Sequence, residues 1–172
     1  MHLSIVIPCF NEQENLDKNI PIIINYFENI KLKYEILIID DFSINKLSYH
    51  HKKVHLYRND KNYGKGYSVK KGIKKSLGDW ILFTDSDLSV SIDQFDKLMN
   101  FTNNYDLICA SRGLPDSNIV IKQNLIRSTL GKLFNLLIKI IRLSNFTDTQ
   151  CGFKLMNKNK INLFLDKLTI NR

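Results

Sequence analysis

Apolar residues gather in short runs, with longer mixed stretches between them. LSIVIP (3–8), YEILIID (34–40), VHLYRN (54–59), WILFTD (80–85) and YDLICASR (105–112) each read as a strand. They run nearly continuously in Ile, Leu and Val instead of alternating with polar residues, the pattern of a mostly parallel sheet covered on both faces. The stretches between them carry helical spacing. Residues 12–30 predict a first helix, opened by Asn11 as N-cap with Glu14 three residues on, and with Leu16, Ile20, Ile23, Ile24 and Phe27 on one face. Pro21 predicts a kink or a division within it. Further helices are expected over 66–77, 92–101 and 122–143.

Strand and helix in alternation predict a doubly wound α/β fold, a Rossmann-like, mostly parallel sheet flanked by helices. Such sheets bind ligands outside the carboxyl ends of their strands. The charged residues follow that rule: Glu12 comes after the first strand, Asp40 and Asp41 close the second, Asp85 and Asp87 the fourth, and Arg112 the fifth. A dinucleotide-binding protein needs GxGxxG directly after the first strand, and this chain has PCFNEQEN there. No internal repeat, low-complexity tract or linker interrupts the chain, so one domain over residues 1–172 is expected.

Composition agrees with a soluble globular domain: 172 residues, 44% hydrophobic and 10% aromatic. Lys and Arg number 25 against 17 Asp and Glu, a net charge of +8 that suits an anionic partner. Nucleic acid fits the charge, but no helix-turn-helix or aromatic signature accompanies it, and it is not expected as a partner. The three cysteines, Cys9, Cys109 and Cys151, lie far apart, which excludes a CxxC zinc pair and argues for a reducing, cytoplasmic setting. Cys9 and Cys109 read as small core residues, and His50, His51 and His55 as surface residues.

The candidate chemistry centres on Asp85-Ser86-Asp87. In an extended segment two residues apart share a face, so the two carboxylates repel and a positive group is expected between them. One reading is a divalent cation, Mg²⁺ or Mn²⁺, held by one or two carboxylates while a substrate diphosphate completes its shell. The other is an aspartate capping the helix that follows. Asp40-Asp41 with Ser43 carries the same pair of readings. NYGKGYSVKKG, with Gly64, Gly66 and Gly72, is either a phosphate-approaching turn or a tight entry to a helix with Lys65, Lys70, Lys71, Lys74 and Lys75 in solvent.

In order and spacing, IVIPCFNEQENL, EILIIDDFS, NYGKGYSVKKGI, GDWILFTDSDLS, ASR and DTQCGFKLM resemble family 2 of the glycosyltransferases, with a GT-A fold. More narrowly they resemble its dolichyl-phosphate β-glucosyltransferase branch, which moves a sugar from a nucleotide onto dolichyl or another polyprenyl phosphate. The likeness runs from residue 3 to about 165, and family members continue past the counterpart of Arg172. The resemblance implies that Pro8, Phe10 and Glu12 line the base and ribose pocket with Asp40 and Asp41, and that the Lys65-Gly66 turn lies over the nucleoside. It implies that Asp85, Ser86 and Asp87 are the DxD motif, Asp85 and Asp87 holding the metal and the donor diphosphate. It further implies that Arg112 pairs with phosphate, that Asp148 stands near the reacting sugar carbon, and that Gln150, Gly152 and Lys154 form the same wall. Ser89 stands where mannosyl-transferring relatives carry Gln, which favours UDP-glucose as donor; Phe42 and Asn45 replace a Gly and an acidic residue of the family's DDGSxD.

A lipid phosphate acceptor, with a second pKa of about 6, is already largely anionic and needs no strong base. Inverting attack then requires positioning and charge stabilisation of the leaving nucleoside diphosphate. A sugar hydroxyl as acceptor would instead need a base, and Asp148 is the residue expected to supply it. A third alternative is a shortened domain that binds nucleotide sugar without turnover. LIRSTLGKLFNLLIKIIRL (125–143) reads as a basic amphipathic helix, expected to make peripheral contact with the cytosolic face of a membrane.

Overall fold

The computed structural model describes residues 1–111 and 151–167. The chain divides into two compact units, Met1–Ile108 with Gly152–Arg172, and Cys109–Cys151. The first contains the sheet but for Cys109, the last residue of β5. Its strands are β1 (His2–Cys9), β2 (Lys33–Asp40), β3 (Val54–Arg58), β4 (Trp80–Thr84), β5 (Leu107–Cys109) and β6 (Phe153–Asn157). Among the described residues they form one sheet in the order β3-β2-β1-β4-β6-β5. β1 pairs in parallel with β2 from His2–Lys33 to Cys9–Asp40 and with β4 from Leu3–Trp80 to Val6–Phe83, while β3 pairs in parallel with β2.

The continuous apolar runs have the cause inferred from them. β1 and β2 are buried at almost every position, so both faces of the sheet are covered and the strands are mostly apolar, with Ser4, Glu35 and Asp40 as buried polar exceptions. On one face Val6, Leu37, Ile39, Ile81, Phe83 and Met156 pack against Ile73 of α2 (Lys65–Lys75) and Leu165 of α4 (Lys158–Leu165). α1 (Gln13–Asn29) buries Leu16, Ile20, Ile23 and Phe27, and Phe27 meets Phe95 of α3 (Gln94–Met99) edge to face at 5.1 Å.

Three expectations are corrected. Of the kink or division expected at Pro21, the division does not occur: α1 continues as one helix from Gln13 to Asn29. Asn11 is not its N-cap: Glu12 occupies that place, and Asn11 takes a left-handed φ of 59° that frees its side chain to accept from the Ile44 amide at 2.8 Å. β6 is a strand that the apolar pattern did not predict. It runs antiparallel to β4, from Trp80–Asn157 to Thr84–Phe153, so the start of β6 lies at the edge where the parallel strands end. The segment 122–143 lies outside the described residues. Among those described, no helix is long and apolar enough to cross a membrane.

At the opposite edge a buried carboxylate locks the loop before β4. Glu35 Oε1 accepts from the Ser4 hydroxyl at 2.6 Å and from the Leu77 amide at 2.6 Å, and Ser4 Oγ in turn accepts from the Gly78 amide at 2.8 Å. Replacing Glu35 with Ala leaves the fully buried Ser4 hydroxyl without its acceptor, a loss of about 1–3 kcal/mol. Urea unfolding of Glu35→Ala, Ser4→Ala and the double variant should give a double-variant cost smaller than the sum; strict additivity would show that the network is not coupled.

Candidate functional site

The parallel strands deliver their carboxyl ends to one edge, and the residues at and just past those ends enclose a cleft of about 400 Å³. Pro8, Cys9, Phe10 and Glu12 come from the end of β1, Asp41 from the end of β2, Lys65 from the start of α2, and Asp85, Ser86 and Asp87 from the end of β4. Nine residues from four separate stretches of the chain are thus brought together by the strand ends and the turns that follow them.

Each polar group there is held by a specific partner. β4 ends at Thr84, and the chain turns at once: the Leu88 amide donates to the Asp85 carbonyl at 3.2 Å, and Leu88 takes a φ of 47°. Asp85 and Asp87 therefore reach one cleft through a turn, not along an extended strand as the spacing suggested, because the ladder with β1 stops at Phe83. Asp87 Oδ1 accepts from the Ser89 amide at 2.9 Å, a local aspartate turn. The buried Ser86 hydroxyl donates to Glu12 Oε2 at 2.6 Å, and its carbonyl accepts from Asn19 Nδ2 of α1 at 2.8 Å. A positive group lies beside one of the two aspartates: Lys65 Nζ is 2.6 Å from Asp85 Oδ1. On the other side, a methyl group added to Gly152 would lie 2.1 Å from Asp85 Oδ2, so the carboxylate fills the space that glycine leaves.

Asp40 and Asp41 separate into two environments. Asp40 is fully buried: Arg58 Nη1 donates to its Oδ2 at 2.7 Å and the Ser43 amide to its Oδ1 at 2.8 Å. It does not line the cleft. Asp41 does, and its carboxylate accepts from Asn59 Nδ2 at 2.7 Å, the Tyr63 amide at 3.0 Å and the Gly64 amide at 2.7 Å. Gly64 sits there with a φ of 92°, a conformation that a side chain would strain, and its position as N-cap of α2 fixes where Lys65 begins. Asp41 thus ties the glycine loop to the end of β2.

The cleft has a negative field. Burial pushes the Cys9 thiol far up, and the carboxylates of Glu12, Asp40 and Asp85 push it further. It stays protonated and serves as packing, not as a nucleophile. Among the described residues no three His, Cys, Asp or Glu side chains converge on one point to cage a metal ion.

Gly66 is exposed in the first turn of α2, and Lys154 is half-buried on β6 opposite Phe83. Arg112, Asp148 and Gln150 lie outside the described residues. Two asparagines were missed. Asn19 sits on the apolar face of α1, where a polar residue among Leu16, Ile20 and Ile23 is itself a signal. Asn59, the residue after β3, is buried; its Nδ2 donates to Asp41 and, at 3.0 Å, to the Ser68 hydroxyl, while its Oδ1 accepts from Lys71 Nζ at 2.7 Å. The lysines of α2 are likewise not simply solvated: Lys74 pairs with Asp166 at 2.6 Å, and Lys75 lies over the Tyr57 ring at 4.3 Å.

Comparison with known proteins places this chain in a family. A dolichyl-phosphate beta-glucosyltransferase of Dictyostelium discoideum is 30% identical over 192 residues, an alignment that takes in 100% of this chain and 59% of that protein. The chain therefore spans little more than half the length of that relative. Among solved structures, mannosyl-3-phosphoglycerate synthase from Rubrobacter xylanophilus superposes with a TM-score of 0.69 at 18% identity, over 93% of this chain and 54% of that one. Glucosyl-3-phosphoglycerate synthase from Mycobacterium tuberculosis, solved with Mn²⁺, uridine-diphosphate-glucose and phosphoglyceric acid, gives 0.62 at 15% identity, over 92% and 57%. At such identities the likeness is one of fold, and the fold is GT-A. The sequence profile described as Glycosyl transferase family 2 matches residues 4–164. The chain belongs to glycosyl transferase family 2.

Proposed function

We propose that this chain carries the donor-binding half of a hexosyltransferase that moves glucose from UDP-glucose onto dolichyl or another polyprenyl phosphate, with inversion. The observation that carries the reading is the convergence of Glu12, Asp41, Lys65, Asp85, Ser86 and Asp87 on one cleft at the carboxyl edge of the sheet. The dolichyl-phosphate beta-glucosyltransferase relative supports the acceptor class, and the UDP-glucose complex of a protein with the same fold supports the donor.

In this reading Pro8, the half-exposed Phe10 and Asp41 take the nucleoside, and Asp40, clamped by Arg58, positions the loop that carries Asp41. Glu12 orients Ser86 and so sets the turn between the two aspartates. A divalent cation fits the donor set: Asp85 and Asp87 offer hard oxygens, and Mg²⁺ or Mn²⁺ is ordinarily held by one or two carboxylates with substrate phosphates, not by a protein cage. When bound, such a cation neutralises charge developing on the departing diphosphate. The protein supplies alignment. A phosphate oxygen that is already anionic attacks without a base, so holding the donor in line and lowering the charge of the leaving group are the chain's share of the barrier. Arg112, Asp148 and Gln150 complete the proposed set, and residues 125–143 supply the peripheral membrane contact that brings a lipid acceptor to the cleft.

Thermal shift with UDP-glucose and with GDP-mannose, each with and without Mn²⁺, tests the donor. UDP-glucose with Mn²⁺ is expected to raise Tm, and Asp87→Ala to abolish the metal-dependent part; an unchanged shift removes Asp87 from the metal role. Gly152→Ala is expected to cost about 1–3 kcal/mol by forcing the Asp85 carboxylate aside. Denaturant unfolding of Gly152→Ala, alone and with Asp85→Ala, checks it: the second substitution should relieve most of that cost, and full additivity would show that the two do not collide. Transfer of labelled glucose into an organic-soluble, acid-labile product on adding polyprenyl phosphate tests the acceptor, and label appearing only in polysaccharide overturns it.

A further inference from the structure

The strongest unexplained contact in the cleft is the one between Lys65 and Asp85. Lys65 is the first residue of α2, its position fixed by Gly64 and by the carboxylate of Asp41 behind it. Its ammonium lies 2.6 Å from Asp85 Oδ1 and 5.4 Å from the centre of the Phe83 ring, in the face of which a cation is attracted. Asp85 is confined in turn, since its Oδ2 abuts the backbone of Gly152. One carboxylate of the proposed cation-binding pair therefore already has a cation.

We propose that Lys65 is the resident counter-cation of Asp85, competing with a divalent cation for that carboxylate and yielding it when the cation arrives together with a diphosphate. This rests on the metal-dependent reading above. The physical logic is charge balance. Asp85 beside Glu12, Asp41 and Asp87 repels its neighbours, and Lys65 relieves that repulsion while the cleft holds no ligand. A divalent cation alone must displace Lys65 and leave an ammonium facing a double positive charge at short range. A cation arriving with a diphosphate brings the anion that the freed ammonium can face. Binding of metal and of diphosphate is therefore coupled through Lys65, and the coupling is reciprocal, each raising the affinity of the other by the same factor. The side chain is suited to this exchange: Lys65 is 57% exposed and Asp85 27%, so the ammonium leaves into solvent without opening the core.

The test measures Mn²⁺ binding directly, by the loss of the free-ion electron paramagnetic resonance signal, with and without UDP, in wild type, Lys65→Met and Lys65→Arg. Lys65→Met is expected to bind Mn²⁺ alone roughly tenfold more tightly than wild type, since a like charge at contact range is gone. UDP should raise Mn²⁺ affinity strongly in wild type and in Lys65→Arg, and the gain should shrink in Lys65→Met by about the same factor. Wild type that binds Mn²⁺ with UDP, alongside a Lys65→Met variant whose affinity for Mn²⁺ alone is unchanged, overturns the counter-cation role and leaves the metal-dependent reading standing. Absence of Mn²⁺ binding in all three proteins, with UDP present, overturns both.

Discussion

A carboxylate at the end of a buried strand is costly unless something donates to it or opposes its charge. The carboxyl edge of this sheet gathers Glu12, Asp40, Asp41, Asp85 and Asp87 within a few residues of the strand ends, and the surrounding structure is arranged around satisfying them. Asp40 takes Arg58 and an amide, Asp41 takes an asparagine and two amides, Glu12 takes a serine hydroxyl, and Asp85 takes Lys65. These partners come from the loop after β2, the end of β3, the glycine loop, the β4 turn and α2. The demand of the carboxylates for donors is what pins four loops to one another and gives the cleft a defined wall.

Much of this was legible in the sequence, and the reason is burial. β1, β2 and β4 could be read because a parallel strand covered on both faces has little choice but to be apolar throughout, and their order then fixed which edge would receive the charged residues. β6 was not legible for the complementary reason. It is five residues long, carries Lys154 and Asn157 at half-buried positions, and is defined by antiparallel pairing with β4, a partner distant in the chain, not by a run of its own. Yet β6 is what brings Gly152 against Asp85.

The division of labour between Asp40 and Asp41 was beyond the sequence for a related reason. Adjacent residues at a strand end face opposite ways, but which one faces the cleft depends on register, and register is a property of the pair of strands. Asp40 lies directly across from Arg58, so the ion pair claims it and Asp41 is left to face the ligand space. The Lys65–Asp85 pair is of the same kind. The sequence asks for a positive charge near the aspartates; only the packing of α2 on the sheet says that the chain provides one itself.

Backbone conformation marks the same three loops. Among the described residues four non-glycine positions have positive φ: Asn11 at 59°, Lys31 at 53°, Phe42 at 65° and Leu88 at 47°. Three of them come just after β1, β2 and β4, two residues past the first two strands and four past the third, where the chain leaves a buried strand and turns. The cost is of order 1–2 kcal/mol for a residue with a side chain, and such strain persists only where surrounding contacts impose it. At Phe42 the chain takes a conformation that glycine favours, and the ring is covered by the Arg58 guanidinium at 4.9 Å. That same guanidinium holds Asp40 and, at 2.7 Å, the Ser43 carbonyl. The loop shape that glycine would give through its own freedom is here enforced from outside by one arginine, so the geometry presenting Asp41 to the cleft depends on an ion pair one residue behind it.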